Sequence, residues 1–419
     1  MLASLINAFR LPELRKKIFY TAGILLIYRL GSYITVPGVD ASLIVGQFNA
    51  TAGATGGGIM NLLDLFAGGG LSRFTVLATN ISPYITASIV LQLLMVVIPA
   101  LDRLKKEGQE GSKKISQYTV ILAMVLAAFQ SYTYMLLLGS AIPAGFLPKL
   151  MIVLGMTAGT ALSIWLGGLI TENGIGNGIS LLIFTGIVAQ LPTSIRQSVS
   201  LISAGGPVLG SIITVLSVIV LTVVIIIVEQ GQRKIPVQYP KRVVGRKMYG
   251  GQSTHMPLKV NQAGVIPVIF ASSILGFVTT IGSFIPAIAS FFQTTIYTRI
   301  VYNVLMLVMI IPFAFFYTGI TFDPIDVADN MKKYGGFVPG IRPGRPTSEY
   351  IAKITNRLTF CGAIYLAVLA ILPNLLSMIT NTQAMFGGTS ILIVVGVALD
   401  TMRSIESQLV MKQYDGFMK

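Results

Sequence analysis

The chain has 419 residues, 53% of them hydrophobic and 11% charged, with a mean hydropathy of +0.78. Soluble domains carry about 25% charged residues, so the composition excludes an ordinary soluble protein and points to a polytopic membrane protein. The net charge of +15 finds a first explanation in the bias of Lys and Arg toward one side of a membrane, before any nucleic acid is invoked. One cysteine, Cys361, excludes an internal disulfide, and one histidine, His255, excludes a multi-histidine metal site.

A membrane span needs about 20 apolar residues. Ten ranges qualify: 18–36, 76–99, 115–138, 151–170, 179–191, 208–228, 262–284, 301–319, 358–377 and 389–402, of which the fifth and tenth are short. Residues 1–9 read as an amphipathic interfacial helix. Arg10, Arg15, Lys16 and Lys17 then precede the first apolar run, as in a signal peptide. Tyr28-Arg29 interrupts that run and no small-residue cleavage site follows, so it reads as a retained first span. Residues 47–58 (QFNATAGATGGG) form a flexible linker.

The next stretch, Asp64 to Val97, is the most unusual. A short apolar segment runs into Gly68, Gly69 and Gly70, then a polar break, then a long apolar run with Pro83 inside. A half-length helix, a glycine hinge and a broken full-length helix imply backbone that lines a cavity, the only place where irregular backbone is tolerated at membrane depth.

With the N-terminus placed inside, only Arg73, Lys149, Arg196 and Arg299 fall on the outer side; the rest, apart from Arg29, lie inside. Both termini are therefore expected to be cytoplasmic. Two inner loops exceed what connection requires. Residues 229–261 contain GQRKIPVQYPKRVVGRK, whose alternation is compatible with a hairpin. Residues 320–357 contain GGFVPGIRPGRPT, which is turn chemistry rather than helix. Long structured loops usually carry function, although topological charge and a solvated turn would explain them equally well.

An internal repeat is visible. Residues 83–88 (PYITAS) and 267–272 (PVIFAS) both read P-x-I-x-A-S at similar depth, five spans apart. An odd separation makes the two halves inverted, an arrangement common in transport proteins. Shared helix-packing chemistry would also produce so short a match.

The spans lack chemistry. Only Arg29 and Asp400 are ionisable within them, and no P-loop occurs. Asn173 to Gly178 (NGIGNG) joins two apolar spans with no strand before it and reads as a tight turn. What remains is a centre lined by small and apolar residues, which conducts ions poorly because a narrow hydrophobic constriction dewets. A flexible, partly apolar substrate such as an extended polypeptide fits it. A secondary transporter for a small solute, a membrane enzyme and a structural scaffold are the alternatives. The missing carboxylates count against the first and the absence of a catalytic constellation against the second. The third leaves the glycines and the basic loops without a role.

The residues resemble the SecY family of protein-conducting channels, homologous to the eukaryotic translocon. FAGGGLSR, ISPYITASIVLQLL, KKEGQEGSKKISQYT, ITENGIGNGIS, VEQGQRKIPVQY, QSTHMPLKVN, AGVIPVIFASS, ADNMKKYGGFVPGIRPG and FGGTSILIVVGVALD carry the resemblance in order along nearly the whole chain. It implies an all-α polytopic membrane protein with ten transmembrane helices in two pseudo-symmetric inverted five-helix halves, a clamshell around an hourglass pore. The implied domains are a cytoplasmic N-terminal segment 1–17, a first half 18–191, an external hinge loop 192–207, a second half 208–402 with docking loops 229–261 and 320–357, and a cytoplasmic tail 403–419.

The resemblance implies a pore ring at Ile81, Ile85, Ile179, Ile183, Ile269 and Ile393, where branched side chains would form a gasket. Each of these isoleucines taken alone reads more readily as ordinary helix packing. It implies a plug at about 62–71, including Leu65, Phe66, Gly68, Gly69 and Gly70, and a lateral gate between the second and seventh spans with Thr86, Gln92 and Phe277. Lys241, Arg242, Arg246 and Lys247 in one inner loop, with Arg342 and Arg345 in the other, would dock a motor ATPase or a ribosome. The implied partners are the small subunits SecE and SecG, the SecA motor, the ribosome, secretory preproteins with their signal sequences, and membrane lipids. The implied location is the bacterial cytoplasmic membrane. No cofactor, metal or enzymatic activity is expected.

Overall fold

The computed structural model describes residues 9–39, 46, 64, 68–137, 145–203, 208–239, 242–244, 247–249, 253–282, 297–380 and 387–417. The expected interfacial helix at 1–9 and the linker at 47–58 lie outside the described residues, apart from Phe9. The helices are α1 (Pro12–Gly31), α2 (Ser82–Val97), α3 (Pro99–Lys106), α4 (Gln109–Leu137), α5 (Phe146–Asn173), α6 (Gly178–Ser203) and α7 (Val208–Gln230). Four short strands follow, β1 (Gln232–Gln238), β2 (Arg242–Val244), β3 (Lys247–Tyr249) and β4 (Ser253–Lys259). Then come α8 (Ile266–Gly282), α9 (Tyr297–Thr321), α10 (Pro324–Lys333), α11 (Arg345–Thr380) and α12 (Gly388–Phe417).

Each of the ten expected ranges overlaps a helix, although 32–36 of the first and 76–81 of the second are not helical. Among the described residues, six helices are long and apolar enough to cross a membrane, and a seventh arises if α2 and α3 count as one span. Their axes differ by 103°, and α3 reads PALDRLKK, so it is a charged helix turned away from the span. The range 100–114, expected as a loop, is thus mostly α3 and the start of α4.

Three further expectations are corrected. Pro83 does not break a helix: α2 begins at Ser82 with Pro83 in its first turn, where a missing N–H costs nothing, and the irregular backbone precedes it. Helix α6 runs through Pro192 to Ser203, so most of the expected loop 192–207 is helical; the Thr193 hydroxyl donates to the Gln190 carbonyl beside the proline (2.7 Å). The GGFVPGIRPGRPT stretch, expected as turn rather than helix, is turn only to Gly344 and helical from Arg345. Asp323 caps α10 by accepting from the Ile325 N–H (2.8 Å), with Pro324 at the first helical position, and α11 starts at Arg345. Turn chemistry is confined to 334–344.

The chain divides into two units. The first comprises residues 1–206, 272–300 and 393–419; the second comprises 207–271 and 301–392. In the first, α2 packs on α4, α4 on α5, and α5 on α6, with α1 against α5 and α6. In the second, α7 and α10 each pack on α11. There Ala314 of α9 and Ala363 of α11 are buried together with Ala263.

Small residues set these approaches. A Cβ at Gly159 in α5 would lie 1.9 Å from the Val76 carbonyl oxygen, whereas one at Gly168 in the same helix meets nothing within 4 Å. Gly159→Ala should therefore destabilise the protein by about 1–3 kcal/mol through overpacking. Gly168→Ala should be neutral or gain up to about 1 kcal/mol from reduced unfolded-chain freedom. Heat-induced unfolding of the two variants in detergent separates these outcomes.

Candidate functional site

Between α1 and α2 the first unit holds backbone that is neither helix nor sheet. Residues 68–81 are turns, with Phe74 and Asn80 both at φ 50° and Gly68 and Gly69 at φ 64° and 81°. Non-glycine residues rarely hold such angles, Asn being the most tolerant. Much of the segment's backbone is hydrogen-bonded. Val36 N–H donates to the Phe74 carbonyl (3.1 Å) and Val76 N–H to that of Ile34 (2.9 Å), while Thr75 N–H donates to Gly70 (2.9 Å). Asn80 accepts from the buried Tyr28 hydroxyl, and the hydroxyls of Thr79 and Thr160 lie 2.7 Å apart. Leu71, Phe74 and Ala78 are buried with Val36, Tyr134, Ile152 and Met156, which ties the segment to α4 and α5.

The glycines before it are clasped from both sides. Arg29 of α1 donates from one guanidinium nitrogen to the Gly68 carbonyl (2.8 Å) and to Ser32 Oγ (3.1 Å). Gln190 of α6 donates to the Asp64 carbonyl (3.0 Å), which also accepts from Gly69 N–H (2.9 Å). The Asp64 carboxylate accepts from Ser72 N–H (2.7 Å) and closes the loop. Tyr33 lies under two cations, Arg29 at 5.0 Å and Arg73 at 4.8 Å from its ring centre. Sequence reasoning did not assign Arg29, Asp64 or Gln190 to the site. An arginine inside an otherwise apolar run was the available signal.

The ring candidates sit at helix starts. Ile81 caps α2 and Ile85 follows one turn later; Ile179 and Ile183 are the same pair at the start of α6. Ile81, Ile183 and Ile393 are buried, and Ile85, Ile179 and Ile269 are half-buried. Ile179 leans on α5, its Cγ1 3.1 Å from where a Gly167 Cβ would stand. Ile269 lies on α8, in the residues assigned to the other unit. The two halves of the sequence repeat share local structure. Asn80 (φ 50°) and Gly264 (φ 60°) each stand three residues before the proline, and the helix begins one residue before it.

Of the gate candidates, Thr86 donates to the Ser82 carbonyl (3.1 Å) and Gln92 donates to Ser88 Oγ (3.3 Å), both within α2. The Gln92 carbonyl oxygen is buried with no partner among the described residues. Phe277 lies on α8. Leu65 and Phe66, and Lys241 and Arg246 of the docking set, lie outside the described residues.

The two long basic loops form one body in the second unit. β1 pairs antiparallel with β4, and β2 with β3. Gln238 and Phe337 exchange both backbone hydrogen bonds (2.9 Å each), joining the hairpin to the 334–344 turn. Ile235, Val237 and Leu258 of the hairpin are buried with Met331 of α10, Val338, and Ile351 and Ile354 of α11. Sequence reasoning treated these loops separately; their alternating Ile and Val were the trace of a shared core. Arg242 lies on β2 and Lys247 on β3. Arg342 is exposed on the turn, and Arg345 opens α11, pairing with Glu349 one turn on (3.0 Å), an exposed pair of little energetic weight. No cluster of His, Cys, Asp and Glu fit for a metal occurs among the described residues.

Helices of this length and apolarity, with irregular backbone held among them in the first unit, define a multi-pass membrane protein. The SecY family model matches residues 75–402. Chains named Protein translocase subunit SecY match over their full length and the full length of this one, at 46% identity in Streptomyces scabiei, 44% in Corynebacterium glutamicum and 45% in Mycobacterium bovis. The chain belongs to the SecY family and is a multi-pass protein of a bacterial membrane. The fold is also that of a solved structure titled "The structure of a protein conducting channel" (TM-score 0.66, 18% identity, 93% of this chain and 91% of that one). It is likewise similar to Sec61 in the canine ribosome-channel complex (TM-score 0.63, 17% identity, 93% and 91%).

Ile351 is fully buried at the centre of the hairpin module. Ile351→Ala should cost about 2–5 kcal/mol there. Limited proteolysis should then cut the 232–259 hairpin much faster, with the helical remainder still protected.

Proposed function

We propose that the chain is the central subunit of a protein-conducting channel, passing unfolded secretory polypeptides across the bacterial cytoplasmic membrane and releasing apolar segments sideways into lipid. It is not an enzyme; the work comes from outside. The full-length kinship with chains named Protein translocase subunit SecY carries this reading. The glycine-rich segment clasped between α1 and α6 supports it, because a plug must be seated by bonds that can be broken.

In this reading the two halves form a clamshell with both termini cytoplasmic. Ile81, Ile85, Ile179, Ile183, Ile269 and Ile393 ring the pore, their branched side chains excluding ions yet yielding to a passing chain. Gly68, Gly69 and Gly70, with Leu65 and Phe66, belong to the plug. Thr86, Gln92 and Phe277 border the lateral gate. The unpartnered Gln92 oxygen supports that assignment, since a buried polar group without a partner makes the closed gate costlier. Sideways release is a partition: each Leu, Ile, Phe or Val favours lipid by about 0.3–0.6 kcal/mol at mid-span, and each charge opposes it by about 2.5–3.5. No catalytic group is needed.

The hairpin module faces the cytoplasm and docks the driving partner. Lys241, Arg242, Arg246, Lys247, Arg342 and Arg345 offer cations to the acidic surface of a SecA motor or to ribosomal RNA phosphates. SecE and SecG complete the membrane complex. One solved relative is titled as Sec61 in a ribosome-channel complex, which supports a ribosome as one such partner.

The lone cysteine makes a direct test possible. In a Cys361→Ser background carrying Ile81→Cys, reconstituted with SecE, SecA and ATP, a stalled preprotein with one cysteine should crosslink to position 81 only with a signal sequence and ATP. If only docking-loop positions crosslink, the chain binds but does not pass here. Replacing Ile81 and Ile269 together by Gly should raise resting ion leak; unchanged leak would remove them from the gasket.

A further inference from the structure

We propose that Arg29 is a positioning residue that latches the plug in its resting seat, with Gln190 as the second point of the latch. The inference rests on the channel reading above and assigns a residue to the closed state. Arg29 lies in the last turn of α1, two residues before its end, where the helix exposes Leu26, Ile27 and Leu30. A guanidinium there is costly unless it is satisfied. No carboxylate pairs with it among the described residues; its partners are the Gly68 carbonyl, Ser32 Oγ and the Tyr33 hydroxyl (3.3 Å).

The Gly68 carbonyl is the only one of these partners that belongs to the movable segment. It is presented because Gly68 takes φ 64° and because both it and Gly186 of α6 lack a side chain: a Cβ on Gly68 would stand 3.0 Å from the Gly186 Cα. Four residues further along α6, Gln190 reaches the Asp64 carbonyl. Asp64 in turn accepts from Ser72 and Gly69, so two side chains from two helices reach residues that are bonded to one another. When the loop leaves, both donors lose their acceptors while Ser32 and Tyr33 remain beside Arg29. The guanidinium is then still partly satisfied, which is what a reversible latch requires.

The test uses the full chain reconstituted with its small subunits, comparing the unsubstituted protein with Arg29→Gln, Arg29→Lys and Gln190→Ala. Three readouts are taken: resting conductance in a planar bilayer, motor-driven translocation of an intact preprotein, and translocation of a preprotein whose signal sequence is defective. Losing one charge-assisted hydrogen bond should raise resting conductance about tenfold in Arg29→Gln. The defective preprotein should now be translocated. Arg29→Lys, which keeps a charged donor, should restore much of the closure, and Gln190→Ala should leak less than Arg29→Gln. A merely structural role would lower all translocation without raising conductance, and that result overturns the proposal. If Arg29→Gln fails to assemble, Gln190→Ala decides: resting conductance equal to that of the unsubstituted protein overturns it. If the unsubstituted protein neither translocates the intact preprotein nor conducts when substrate is trapped within it, the channel reading itself fails, and the latch with it.

Discussion

A backbone that leaves helical geometry inside a bilayer has no water to satisfy it. The first unit is organised around meeting that demand for residues 68–81. Two hydrogen bonds join Val36 and Val76 to the facing stretches, forming a scrap of antiparallel pairing between residues 34–36 and 74–76. The Thr75 hydroxyl donates to the Gly70 carbonyl, and the Tyr28–Asn80 and Thr79–Thr160 side-chain bonds pin the segment to α1 and α5. Gly159 lets α5 come close enough for Leu71, Phe74 and Ala78 to be buried against Ile152 and Met156. The left-handed angles at Phe74 and Asn80 are the strain that remains, and such strain persists only where surrounding packing over-determines it.

The second unit solves a different problem. Its helices carry an apolar belt, and α7, with a mean hydropathy of 3.2, is mostly exposed along its length. Its hairpin module cannot rely on lipid and carries a core of its own. Seven buried apolar residues, drawn from β1, β4, α10, the 334–344 turn and α11, make that core. Four short strands would be marginal alone. Burial against α11 rigidifies them, because α11 extends from Arg345 to Thr380 and is both the floor of the module and an apolar span. A force applied at Arg342 or Arg345 therefore meets the first turn of that long helix rather than a free loop.

Most of this architecture was legible in the sequence where the signal is strong. Apolar runs gave every long helix its place, and alternation in 231–247 pointed to a hairpin, although the strand at 253–259 that pairs with 232–238 was not read from it. Helices α3 and α10 were missed because eight or ten residues rich in charge carry no span-like signal. Pro83 was misread because the same residue that breaks a helix in its interior is favoured at its start. The ring positions came from family resemblance; an isoleucine at a helix start has no periodicity that separates lining from packing, and the burial of Ile81 and Ile393 fits either. The Arg29–Gly68 bond spans 39 positions, and no local pattern encodes a contact at that distance.

The strength of the clasp matters as much as its existence. A hydrogen bond to a charged group contributes about 1.5–3 kcal/mol net, and a neutral one about 0.5–1.5. In the proposed latch, Arg29 and Gln190 together hold the loop by about 2–4.5 kcal/mol, and every 1.4 kcal/mol is tenfold in a population. A latch of that strength would keep an idle channel shut nearly all the time. An incoming helix with ten Leu or Ile side chains gains roughly 3–6 kcal/mol on reaching lipid. The two quantities are of the same size. A latch much stronger would leave a signal sequence unable to open the channel, and one much weaker would leak ions between substrates. Two side chains on rigid helices, each reaching one carbonyl of a glycine-rich loop, sit within that range.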